Sequence, residues 1–108
     1  MVTSHTSKFS KIMYDANRRG ITFSLPFNRY KELLKKPCFY CGSDKVGIDR
    51  LENHIGYTVH NSVPCCKKCN RMKSDFTLSV FLEHVRKIGT FTLSPDEIYK
   101  KLKDFQND

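Results

Sequence analysis

The chain has 108 residues, 39% of them hydrophobic, with eight Phe, five Tyr and no Trp. That length predicts a single domain, 1–108, with too little apolar surface for a generous core, so a metal or disulfide staple is expected. Lys and Arg outnumber Asp and Glu by 19 to 11, and the net charge of +8 favours a polyanionic partner, nucleic acid first.

No apolar stretch resembles a signal-peptide core or a membrane span, and the start, Met1-Val2-Thr3-Ser4-His5, is polar. No membrane partner is expected. The expected setting is cytoplasmic, where thiols stay reduced and paired Cys-x-x-Cys motifs point to metal rather than disulfides.

From Ser7 to Arg19, Phe9, Ile12, Met13 and Ala16 recur at helical spacing, and Gly20 marks the end. Ile21-Thr22-Phe23 is a short strand or an extended connection. Pro26 suits a first helical turn, Tyr30, Leu33 and Leu34 continue an apolar stripe, and Pro37 stops it. The region 7–36 is therefore two N-terminal helices. Val46, Ile48 and Leu51, then Tyr57 and Val59, are short extended runs around the turn-like Glu52-Asn53-His54-Ile55-Gly56, and predict a β-hairpin. Cys66 through Lys73 opens a helix. In 76–106 the residues Leu78, Phe81, Leu82, Val85 and Ile88 predict a helix up to Gly89, and Ser94-Pro95-Asp96-Glu97 caps another carrying Ile98, Leu102 and Phe105.

Cys38-Phe39-Tyr40-Cys41-Gly42 has the form of a zinc knuckle, and Cys66-Lys67-Lys68-Cys69 repeats its spacing after 24 intervening residues. Two such pairs supply four thiolates for a tetrahedral zinc ion at about 2.3 Å per bond, with no open position for substrate. One pair from a turn and one from a helix start is a treble-clef arrangement. Cys65 stands outside it, because only Cys66 gives the two-residue gap to Cys69. The fold class is thus α+β, a zinc-stapled core at 38–73 flanked by helices.

Cys38-x-x-Cys41-Gly42, Ile48-Asp49-Arg50, Gly56-Tyr57, Asn61-x-x-Pro64 and Cys66-x-x-Cys69-Asn70-x-x-Lys73 together resemble the HNH, or His-Me finger (ββα-metal), endonuclease superfamily. The likeness is to small phage-encoded members and, in the Cys pairs, to recombination endonuclease VII. It implies a second, catalytic divalent cation, Mg²⁺ or Mn²⁺, on Asp49 and Asn70, with Asn61 orienting the hairpin. A hard cation suits such oxygen ligands. Ordinary chemistry offers other uses: Asp49 could pair with Arg50 or Lys73, and Asn70 could bond the helix start.

The pattern departs at Arg50, where the family carries its general-base His; a guanidinium takes no proton near neutral pH but can stabilise charge on a phosphate. Glu52 fills the base position of a related branch and also suits a solvated turn, while His54 and His60 are the remaining candidates for activating water. Lys67, Lys68, Arg71 and Lys73 on the zinc-bearing helix, with Arg18 and Arg19 on the first, are the expected phosphate contacts. The implied partner is duplex or branched DNA with weak sequence preference, bound by a monomer or homodimer in the host cytoplasm if phage-encoded.

Overall fold

A computed structural model describes residues 4–91 and 94–106; the polar start at 1–3 lies outside them. The elements are α1 (Ser4–Arg18), α2 (Phe27–Leu34), β1 (Gly47–Arg50), β2 (Ser62–Cys65), α3 (Lys67–Lys73), α4 (Leu78–Phe91) and α5 (Pro95–Gln106). No helix among the described residues is long and apolar enough to cross a membrane. Two compact units emerge, Met1–Thr77 and Leu78–Asp108.

In the first unit, α1 ends in a Schellman motif around Gly20, whose φ of 72° suits a residue without Cβ. Gly20 N–H donates to Asn17 O at 3.1 Å and Ile21 N–H to Ala16 O at 2.8 Å. The chain then turns back so that Phe9 meets Phe23, Phe27 and Tyr30 with ring centroids 5.1–5.4 Å apart. Leu25, Tyr30 and Leu33 are buried here, with Ile12 and Ile48 packed against them. Each buried Leu contributes about 2 kcal/mol. This apolar cluster seats α2 beneath β1.

β1 and β2 pair antiparallel, in the register Gly47↔Cys65, Ile48↔Pro64, Asp49↔Val63 and Arg50↔Ser62. The second strand therefore lies later than the expected run at Tyr57 and Val59. Tyr57 is committed elsewhere: its N–H donates to Thr22 O at 2.8 Å, and its carbonyl accepts from Ser24 N–H at 2.9 Å. That single parallel bridge, Phe23↔Tyr57, makes 21–23 an extended connection and ties the interstrand loop to it. β2 is wholly buried and runs into α3 through Cys66 alone.

In the second unit, α4 continues through Gly89 to Phe91 rather than stopping at the glycine. A lone Gly costs a helix only about 1 kcal/mol, which flanking turns absorb. α5 begins as the sequence predicts: Ser94 Oγ accepts from Glu97 N–H at 3.3 Å, with Pro95 at the first helical position. The Lys101 ammonium lies 3.9 Å from the Phe91 ring centroid.

Candidate metal centre and hairpin site

The Sγ atoms of Cys38, Cys41, Cys66 and Cys69 all lie within 4.8 Å of one another. Cys41 Sγ and Cys66 Sγ are 3.7 Å apart, close to the separation of about 3.8 Å that a tetrahedral Zn–S distance of about 2.3 Å requires. Backbone N–H groups point at the sulfurs: Cys66 N–H donates to Cys38 Sγ at 3.3 Å and Cys69 N–H to Cys66 Sγ at 3.4 Å. The Cys69 N–H, joined by the Ser43 side chain, lowers the Cys66 thiol to about 6. Burial pushes Cys38 up, but N–H groups of Cys66, Cys41 and Tyr40 outweigh it and the thiol ends below its usual value. Cys69 is pushed up, first by burial and then by sharing hydrogen bonds with the other three thiols. Four soft, mostly buried sulfurs pre-aimed in this way fit zinc and leave it closed to substrate.

Cys65 is buried beside the cluster but is not one of the four mutually close sulfurs. Strand alternation gives it the opposite direction from Cys66, and its Sγ–H donates to Cys66 O at 3.4 Å. Burial first, and then the nearby Asp49 charge, push this thiol up to about 12. It is a protonated core residue and no ligand.

Asp49, in the middle of β1, faces the C-terminal end of α3. Its Oδ2 lies 3.2 Å from Lys73 Nζ and accepts from the Tyr40 hydroxyl at 3.4 Å. Of the two cationic partners open to Asp49, the fold supplies Lys73. The Lys73 ammonium also donates to Arg50 O at 2.9 Å and to Asn53 Oδ1 at 3.1 Å, so its three N–H donors meet three oxygens. With Lys73 only 1% exposed, it is not a surface phosphate contact, which corrects that part of the basic cluster. Lys67, Lys68 and Arg71 are exposed, as are Arg18 and Arg19 at the end of α1.

Asn61 is 4% exposed and spans the loop. Its Oδ1 accepts from Glu52 N–H at 2.9 Å, and its Nδ2 faces the carbonyls of Glu52, Ile55 and Gly56 at 3.0–3.2 Å. This is a side chain wholly spent on backbone. Arg50 braces the same turn: Nη1 donates to Asn53 O at 2.7 Å and Ile55 O at 3.4 Å, and the guanidinium lies 5.6 Å from the Tyr57 ring centroid. Glu52 is half-buried at the start of that turn, whereas His54 and His60 are exposed. Asn70 is exposed on α3, about one turn before Lys73.

Two participants escape a reading of the sequence. Tyr40 lies between Cys38 and Cys41 of the cluster yet reaches Asp49. Asn53 grips Lys73 and also donates through Nδ2 to Phe76 O at 3.1 Å and Ser74 O at 3.4 Å. An Asn inside a turn is the only signal for the second, and it is a common one.

No family model matches the chain. Among curated proteins it is 30% identical over 84 residues to an uncharacterized protein of Acanthamoeba polyphaga mimivirus, an alignment covering 74% of this chain and 16% of that one. It is 35% identical over 77 residues to an uncharacterized 29.0 kDa protein from the dda-modA intergenic region of Enterobacteria phage T4, covering 63% of this chain and 31% of that one. The chain thus spans less than a third of either relative. Among solved structures it superposes on the rare-cutting HNH restriction endonuclease PacI with a TM-score of 0.61 and 22% identity, over 74% of this chain and 72% of that one. The chain therefore shares its fold with that endonuclease over about three quarters of its length.

Proposed function

We propose that the chain is a zinc-stabilised, metal-dependent nuclease module that nicks DNA at a site formed by β1, the loop after it and α3. The observation that supports this reading is the Lys73–Asp49 contact, which ties the last turn of α3 to β1, the two elements on which the resemblance puts Asn70 and Asp49. Both contacts to the Asp49 carboxylate fall on Oδ2, leaving Oδ1 and the Asn70 amide oxygen, a hard donor set suited to Mg²⁺ or Mn²⁺. Bound there, a divalent cation would polarise a phosphodiester and lower the pKa of attacking water.

The chain's own residues divide the remaining work. Asn61 fixes the loop. Arg50 keeps Nη1 in the turn and has Nη2 for a phosphate oxygen. Glu52, His54 and His60 are the groups that could take the proton, and Lys67, Lys68 and Arg71 would hold the backbone. Such a site cuts one strand, so a double-strand break needs two copies. The viral relatives favour a viral protein acting in host cytoplasm. The fold shared with a restriction endonuclease supports DNA as substrate.

A second reading is a DNA-binding module without catalysis. Arg50 after Asp49, and the engagement of Asp49 by a resident ammonium, favour it. Supercoiled-plasmid nicking with Mg²⁺ or Mn²⁺, against EDTA, Asp49→Asn and Asn70→Ala, separates the two. Cation-dependent nicking lost in both variants, with zinc content intact, is expected. Folded, zinc-loaded protein that shifts DNA without nicking it would leave the binding module.

A further inference from the structure

The zinc knuckle carries an aromatic side chain that neither the metal centre nor the hairpin site uses. Phe39 lies between the ligands Cys38 and Cys41 and is 58% exposed. Its backbone is fixed, since Phe39 N–H donates to Pro64 O at 2.8 Å. Its ring packs edge-to-face against Tyr40 at 5.4 Å and 89°. Because the four sulfurs lie within 4.8 Å of one another, the knuckle adjoins the start of α3, where Lys67 and Lys68 are exposed. An open aromatic on a knuckle that adjoins paired ammonium groups is a combination that can hold an unstacked base while its phosphates meet cations, and it is tolerant of sequence because every base offers a π-face. Tyr40, against which Phe39 packs, hydrogen-bonds Asp49, so the exposed ring connects to the hairpin site through a single side chain.

We propose that Phe39 is a stacking platform for an unpaired base, with Lys67 and Lys68 on the adjoining phosphates, so that the preferred ligand is single-stranded or locally opened nucleic acid rather than continuous duplex. The proposal rests on the reading that the chain acts on nucleic acid, but it does not require cleavage. It names the substrate class that the nicking site would receive.

The chain contains no Trp, so Phe39→Trp installs a unique indole, excitable apart from the tyrosines, at the platform. The experiment titrates zinc-loaded full chain with a short single strand, the matching duplex and a duplex bearing an unpaired bulge, following anisotropy and the emission of the introduced indole. Phe39→Ala is expected to weaken single-strand and bulge binding by about tenfold or more, with the salt slope unchanged because the phosphate contacts remain. Phe39→Trp is expected to restore affinity and to be quenched by bound strand. Equal affinity of Phe39→Ala and the parent, indole emission indifferent to saturating oligonucleotide, or preference for the intact duplex would each overturn the proposal. So would loss of self-association in Phe39→Ala without change in DNA binding. Quenching without plasmid nicking would uphold the platform while removing the nuclease reading, and nicking without quenching would do the reverse.

Discussion

The Lys73 ammonium lies 3.2 Å from Asp49 Oδ2 with its side chain 1% exposed, joining the last turn of α3 to the middle of β1. Removing one partner of a buried pair leaves an uncompensated charge, whereas removing both can be nearly neutral. Lys73→Met should therefore lower unfolding free energy by about 3 kcal/mol, and Asp49→Leu with Lys73→Met should recover part of that loss. Urea denaturation of the two single variants and the double variant measures it. Additive losses in the double variant would show that the pair is not the unit holding α3 to β1.

The cysteine cluster should bind one zinc per chain and be required for folding, because binding free energy at such sites is folding free energy. Cys66→Ser should lose both zinc and helical circular dichroism, while Cys65→Ala should keep both. In the zinc-loaded protein Cys65 should also resist iodoacetamide under mildly alkaline conditions, since burial and the Asp49 charge hold its thiol at about 12. Release into a chromogenic chelator and mass spectrometry of the alkylated chain read these outcomes. Zinc retained by Cys66→Ser would put the ligand set in error.

Gly56 should not tolerate a side chain. A Cβ there would collide with the Thr22 carbonyl and lie 2.8 Å from Thr22 Cβ, where the Tyr57 bridge clamps the two segments. Gly56→Ala should cost about 1–3 kcal/mol, the usual range for overpacking. Gly89→Ala, within α4 and with nothing within 4 Å of the added carbon, should instead stabilise by about 0.5–1 kcal/mol. Thermal melts of the two variants should move in opposite directions.

How much of this is legible in the sequence depends on how local the determinant is. The Cys spacing identifies the four sulfurs and excludes Cys65, because metal geometry is written in short intervals. Ser94 and Pro95 place the start of α5 for the same reason. The second strand falls later than the sequence suggests because Tyr57 and Val59 look as extended as Ser62–Cys65, and only the long-range bridge to Phe23 decides between them. Charge groups Lys73 with its basic neighbours although it stands four residues after Cys69. That spacing puts it on the buried face of α3, whereas Lys67, Lys68 and Arg71 turn outward. The periodicity holds the signal, and the charge conceals it.

The direct passage from β2 into α3 has a consequence for folding fidelity. Cys65 and Cys66 are adjacent thiols, so a one-residue slip of β2 would carry Cys65 toward the metal and turn Cys66 away. Cys65 would then stand with three intervening residues before Cys69 rather than two, and the Cys69 N–H bond to the Cys66 sulfur would be lost, so the metal corner itself disfavours the slip. Contacts remote from the metal, the Asn61 bonds across the loop and the Lys73 grip on Arg50 and Asn53, hold the same register. In this chain the polar clamp and the metal corner therefore check the same alignment.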